Sequence, residues 1–411
     1  MRAGPVLVAA LLVLAGCSTP FTGGDATTPR PEATTDERSS DEAATVDSST
    51  TASPTTQPST DGTVYDVSVR NGTLPVDEDR AYTRVQGLLG TDVEPRPVEV
   101  RNLTEYQGYA PATFPFFDLL GVGNASFDDG RPGGLTTQSG AVYIHPGNGS
   151  AGAVEQVLVH EFVHTTQFGA NMIPWLDAID GPRLTYDLLQ TRLALLEGGA
   201  VYASDAYTER YLNVTPESER IAAEYEDAGT AKRLFLARYH FGSDYVADRI
   251  DDPANLAGVY ENYPRTTEQV IHGYAPDEEP ERDLALSVRG GNWTVGGNDT
   301  LGELTTRVLL CGELERATAV AAAAGWGTDE VVTLRRGGEQ AYVWALRMDN
   351  ATETDELARA LEAFAAEREA AADASFAVQR PTDETVLLTV GPDSLDVRAE
   401  GSAGNVTVTV G

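Results

Sequence analysis

Apolar positions recur along this chain with two periods, and the two predict different elements. Val154, Val157, Leu158 and Phe162 repeat at three- and four-residue spacing, which predicts a helix over Val154 to Phe168. Arg183 to Tyr211, rich in Leu, Ala, Tyr and Arg, predicts a second long helix. Thr215-Pro216-Glu217 has the grammar of a helix start, with Thr as N-cap, Pro at the first position and an acid in the first turn. Helical composition continues to Arg249 with a break expected near Gly229, and Ile221, Ala222, Tyr225, Leu234, Leu236 and Tyr239 are expected in a core. Thr266 and Gln269 stand at capping-box spacing, so a helix should start there and carry His272 in its second turn. Leu301 to Ala324 predicts one amphipathic helix and Glu356 to Ala371 another. Strands are expected at Gly140 to His145, which alternates up to Pro146-Gly147, and at Val386–Val390 and Val406–Val410. Val331–Leu334 and Tyr342–Leu346, joined through Gly337-Gly338, read as a hairpin. The fold class expected is α+β.

The first 62 residues break this pattern. Arg2 followed by the ten-residue apolar run Pro5 to Leu14 reads as a processing signal, too short to span a bilayer. It ends in Leu14-Ala15-Gly16-Cys17, which resembles the lipobox of prokaryotic lipoproteins and implies a lipid anchor on Cys17 at the outer face of the cell membrane. Residues 18–62 hold 24 Ser, Thr and Pro among 45 positions with Phe21 as the one aromatic. Such a segment buries too little apolar surface to offset its ordering entropy, so a disordered tether is expected. The organisation expected is a signal at 1–17, the tether at 18–62, a catalytic domain at 63–280 and a small α+β domain at 281–411.

Charge narrows the setting. The 411 residues carry 29 Lys+Arg and 63 Asp+Glu, a formal net charge of −34, which excludes a nucleic-acid partner for want of a basic face. Residues 63–411 alone hold 55 acids and 26 bases, so the acidity belongs to the folded body. Lys232 is the only lysine. This composition resembles that of extremely halophilic archaea, whose solubility in concentrated salt it would serve. Nine of twelve asparagines open an N-x-[ST] sequon (Asn71, Asn102, Asn124, Asn148, Asn213, Asn292, Asn298, Asn350 and Asn405), where chance gives roughly two. That excess points to a glycosylated exterior protein. Of the two cysteines, Cys311 is expected as a small buried apolar residue.

The chemistry is concentrated in Val157 to His164, which contains His160-Glu161-Phe162-Val163-His164, an H-E-x-x-H motif. On a helix His160 and His164 lie one turn apart on one side and reach one metal ion, while Glu161 is placed to take a proton from an activated water. A zinc site for hydrolysis needs a third protein ligand, and Glu197 in Leu195-Leu196-Glu197-Gly198-Gly199-Ala200 is the residue expected to supply it. Gly198 and Gly199 weaken an exposed helix, so they predict a close helix–helix approach that brings the carboxylate to the metal.

H-E-x-x-H followed by E-G-x-A-x-Y on a later helix resembles the gluzincin clan, the peptidase-MA-like zinc metallopeptidases, over roughly residues 140–210. The resemblance implies a zincin-like, mainly helical domain with a small sheet, Zn2+ on His160, His164 and Glu197, and Glu161 as general base. It also implies an edge strand before the active-site helix, here Gly140 to His145, that aligns an extended peptide. Two features depart from the clan. His164 and Glu197 are separated by 32 residues, which requires a loop or partial helix around Asn171–Gly181. Val201 stands where thermolysin-like members carry an aspartate that orients a zinc histidine, leaving Asp205 or Ser204 for that task. Stretches Pro264–His272 and Ala321–Asp329 are similar to uncharacterised prokaryotic proteins with the same motif.

The expectation is therefore a cell-surface zinc metallopeptidase acting on a peptide or protein, with Tyr202, Tyr207, His240, His272 or Tyr274 as the donor for the oxyanion. A zincin-fold surface glycoprotein kept as a binding module is the rival reading, and a zinc hydrolase for a non-peptide bond is a third.

Overall fold

A computed structural model describes residues 65–103, 108–109, 115–128, 130–176, 183–402 and 404–411. The lipobox with Cys17 and the 18–62 tether lie outside the described residues. The fold is α+β, as the two periods imply.

In chain order the first part holds β1 (Val69–Arg70), α1 (Glu78–Leu89), β2 (Val98–Val100), β3 (Gly108–Tyr109), α2 (Pro115–Leu119), β4 (Ala125–Ser126), β5 (Gly133–Thr136) and β6 (Val142–His145). The helices α3 (Ala151–Gly169), α4 (Tyr186–Tyr211), α5 (Glu217–Asp227), α6 (Thr230–Ala247), α7 (Leu256–Glu261) and α8 (Thr267–His272) follow. Four strands pair in the order β1-β2-β6-β5, parallel except for the antiparallel β5 at one edge. The expected strand β6 therefore sits between β2 and β5, and the edge belongs to β5. That corrects the expectation that Gly140 to His145 forms the edge.

Helix α3 is buried on every face from Val154 to Gln167, so its apolar residues fill the core all round. Tyr82 of α1 packs edge-on against its Phe162, with ring centres 4.8 Å apart. Val157, Leu158 and Val163 of α3 share a core with Val98 and Ile144 of the sheet and with Leu195 and Ala200 of α4.

The rest of the chain forms β7 (Ala285–Arg289), β8 (Thr294–Asp299), α9 (Gly302–Leu310), α10 (Arg316–Ala323), β9 (Trp326–Arg336), β10 (Glu339–Met348), α11 (Ala351–Ala371), β11 (Ser375–Thr382), β12 (Thr385–Gly391), β13 (Val397–Ser402) and β14 (Asn405–Val410). An antiparallel sheet of order β11-β12-β10-β9-β8 carries the expected hairpin, with Gly337 and Gly338 both at positive φ in its two-residue turn. The helix expected over Leu301 to Ala324 is two helices. Cys311 closes α9, and Gly312 packs so near Thr230 that a Cβ there would come within 2.8 Å of its hydroxyl. Cys311 itself is only half-buried against the neighbouring core. Phe116 and Phe117 of α2 belong to that same core with Leu309, Trp344 and Leu361, so an early segment fills the packing of the later half.

Candidate metal centre

Two helices bring the expected ligands together. Ser150 caps α3 by accepting from the Ala153 amide, and the helix then carries His160, Glu161 and His164 into the centre of the molecule, all with no solvent exposure. Glu197 arrives from the middle of α4, equally buried. One nitrogen of each imidazole and one oxygen of Glu197 lie within 4.8 Å of one another, so the three can hold a metal ion. Glu197 Oε2 is 3.2 Å from His164 Nε2 and 3.4 Å from His160 Nε2.

The glycine pair explains how the carboxylate gets there, with a change of partner. A Cβ on Gly198 would overlap the carbonyl of Gly242 in α6, and one on Gly242 would overlap the carbonyl of Ala194. The close approach thus joins α4 to α6 at Gly198. Gly199 faces Tyr260 and Gln167 instead. Pressing α4 into this slot fixes Glu197 opposite α3, and the expected α3–α4 contact is made at Gly199, beside Gln167 of α3. The linker contains a short 3-10 turn at Pro174–Leu176, and residues 177–182 lie outside the described residues.

Each imidazole is held by its other nitrogen. His160 Nδ1 lies 3.1 Å from Glu217 Oε2, and His164 Nδ1 lies 2.6 Å from Gln167 Oε1. With Nδ1–H donated to these acceptors, both Nε2 lone pairs are left for a cation. Glu217 is therefore the orienting carboxylate, supplied by α5 rather than by Asp205 or Ser204 of α4. Asp205 acts one step behind it, accepting from the Glu217 and Ser218 amides at 2.6 and 3.2 Å. It thereby caps α5 in place of Thr215, and Pro216 becomes the N-cap residue. Gln167 in turn donates to Tyr260 Oη at 2.6 Å and to the Leu196 carbonyl at 3.0 Å, tying α3 to the ligand helix.

The electrostatics favour a cation. Glu161, Glu197 and Glu217 are three buried carboxylates around two imidazoles, a charge that must be balanced away from water. His160 Nε2, Glu161 Oε1 and Glu197 Oε1 are buried without a hydrogen-bond partner. Native interiors leave few such atoms, and two of them belong to residues whose ligand atoms could share a metal. Burial opposes charge on both carboxylates, yet their outcomes diverge. Burial lifts Glu161 to about 7 against the pull of His160 and His164. In Glu197 the two imidazoles outweigh burial and hold the group down at about 2. A carboxylate kept ionised suits a ligand, and one poised near neutrality suits proton transfer.

Glu161 is positioned from the sheet. Thr136 Oγ1 donates to Glu161 Oε2 at 2.6 Å, and a Cβ on Gly134 would overlap Glu161 Oε1. Edge strand β5 thus presents a hydroxyl and a gap beside the acid. Of the five residues offered as the oxyanion donor, four have partners of their own and Tyr274 stacks on one of them. Tyr202 donates to the Ile250 carbonyl at 2.8 Å and Tyr207 to Glu155 at 2.6 Å. His240 packs on Tyr225 and Phe241 near Asp244. His272 pairs with Glu303 at 2.9 Å and stacks on Tyr274. The ring beside His160 is Tyr239, with centres 6.2 Å apart. Thr266 does cap α8 as its spacing indicates, but the helix serves the α8–α9 junction rather than the metal centre.

Residues 293–402 match a family described as a domain of unknown function (DUF8575). That stretch covers the five-stranded sheet with α9 to α11, includes Ala321–Asp329, and lies outside the metal centre. No curated protein and no solved structure matches the chain.

Proposed function

We propose that the chain is a zinc-dependent hydrolase that cleaves peptide bonds, anchored by lipid at Cys17 outside the cell and working in concentrated salt. Two imidazoles and one carboxylate form the donor set of catalytic zinc, which leaves a fourth position for water or substrate. Zinc bound there would act as a Lewis acid and bring the pKa of water to about 7. His160, His164 and Glu197 hold the ion. Glu217 and Gln167 fix the rings, while Glu161 takes the proton and returns it to the leaving amine, steadied by Thr136.

The observation that carries this reading is Glu161 Oε1, buried and unpartnered beside the ligand set. A purely structural metal site has no use for such a group. The nine sequon asparagines are all exposed, which permits glycosylation, although the other three asparagines are exposed too.

One observation favours the binding-module reading: His160, Glu161, His164 and Glu197 are each 0% exposed, so a peptide must displace something to reach them. Cleavage of a denatured protein by wild type and Glu161→Gln in concentrated salt, with metal content measured on both, separates the two. Metal in both and cleavage by wild type alone supports the hydrolase. Metal in both with no Glu161-dependent cleavage leaves the binding module.

A further inference from the structure

A cavity of about 1060 Å³ is walled by α3, the helix that carries two of the metal ligands, and by α5 and the start of α6, and its lining is unusual for so acidic a chain. Arg131, Arg220 and the sole lysine, Lys232, all face it. The cavity is tied to the centre in two ways. Gln156 and Ala153 in its wall belong to α3, and at 1.5 Å per residue they sit about 6 and 10 Å along the axis from His160. Arg220 Nη2 is 3.7 Å from Glu217 Oε1, and Glu217 holds His160.

Its basic side chains gather around a single carboxylate. Glu224 Oε1 accepts from Arg131 Nη1 at 3.1 Å and pairs with Lys232 through the same oxygen. Two cations on one carboxylate already display the ligand type they prefer, although the exposed Asp128 also lies 3.9 Å from Arg131 Nε. Two helix N-termini add to it. The cavity is lined by Ser150 at the start of α3 and by Gly229 at the start of α6, and neither helix has an acid in its first turn. The opposing carboxylates, Glu219 and Asp227, are exposed at the rim.

We propose that this cavity receives a carboxylate of the substrate, two or three residues from the cleaved bond. Peptide enters as the ligand through the hydrolase reading, on which this inference rests. An extended peptide advances about 3.4 Å per residue, so 6 to 10 Å corresponds to that separation. Salt decides whether an acidic peptide can approach a body of net charge −34. At 1 M the screening length is about 3 Å, which removes long-range repulsion and leaves ion pairs at contact distance standing.

The test uses the full chain carrying Glu161→Gln, in concentrated salt, and labelled alanine-rich decapeptides read by fluorescence anisotropy. One series scans a single Glu along an amidated peptide, a second has Gln in its place, and a third is the Gln peptide with a free C-terminal carboxylate. A peptide with one carboxylate, internal or terminal, should bind about tenfold tighter than the neutral amide, and whichever wins identifies the source of the charge. Lys232→Gln or Arg131→Gln should bring the acidic peptide to the neutral level while leaving the neutral peptide unchanged, and Glu224→Gln should tighten the acidic one further. Equal binding of charged and neutral peptides, absence of binding by any, or equal weakening of both by Lys232→Gln overturns the proposal. Cleavage by the unmodified chain is scored separately. Carboxylate-dependent binding without cleavage sinks the hydrolase reading and keeps the pocket, whereas cleavage indifferent to charge does the reverse.

Discussion

Two places in this molecule bury several acids, and they differ in what those acids touch. Around the α8–α9 junction Asp329 accepts four hydrogen bonds, from the Leu301 and Gly302 amides at 2.9 and 2.8 Å and from the indoles of Trp326 and Trp344 at 3.0 and 2.9 Å. Nearby Asp187 accepts from the amide and hydroxyl of Thr267 at 3.1 and 2.5 Å. At the metal centre Glu161 and Glu197 each keep one oxygen with no donor, facing imidazoles whose outer nitrogens are already committed. Asp329 and Asp187 are satisfied by the protein and join elements. The central acids are held short of satisfaction. Burial of carboxylates alone marks neither function, nor does an unfilled acceptor alone, since Glu353 Oε2 is one too; unfilled acceptors beside two imidazoles mark the metal centre.

Four substitutions sharpen that contrast. Glu161→Gln should cost about 10²–10⁴-fold in turnover and leave metal content unchanged, because it removes a base without removing a ligand. Asp329→Ala strands four buried donors and should cost about 4 kcal/mol in urea unfolding, with metal affinity untouched. Glu217→Gln should weaken metal affinity about 10–100-fold by competition against a chelator, with little change in melting temperature, since a hydrogen bond to His160 survives but its charge does not. The last effect is spread over pH and is small only per pH unit. Burial raises Asp187 to about 8, so the folded chain keeps a proton that the unfolded chain releases near pH 4. Its stabilising contribution is complete below pH 4 and lost as pH rises through 8, at no more than about 1.4 kcal/mol per pH unit. Asp187→Asn should flatten that part of the unfolding free energy between pH 5 and 8. Equal metal loss in all four variants would erase the distinction between the two places.

The metal ligands were legible because their chemistry is local. His160, Glu161 and His164 need only one helix, and the Glu197-Gly198-Gly199 run announces a packed carboxylate. The supporting residues were not, since each depends on tertiary placement. Glu217 reads in sequence as an ordinary first-turn acid, and only the packing of α5 against α6 and α4 makes it the partner of His160. Strand β5, Gly133-Gly134-Leu135-Thr136, has no alternation and two glycines, so nothing in its pattern distinguished it from a loop. Its glycine is nevertheless what leaves room beside Glu161. The split of Leu301 to Ala324 was hidden for a similar reason: apolar periodicity continues past Cys311, while the break comes from the contact of Gly312 with α6. His240 is one of the residues offered for the oxyanion, yet it is its neighbour Tyr239 whose ring lies 6.2 Å from that of His160.

X-ray absorption at the zinc edge, on the purified full chain and on His164→Ala, addresses the centre most directly. The account predicts one zinc per chain with two imidazole nitrogens at about 2.0–2.1 Å and carboxylate oxygen at about 2.0–2.2 Å, and loss of that signal in the variant. A chain that takes up no zinc, or zinc whose spectrum is the same with and without the His164 imidazole, would contradict it.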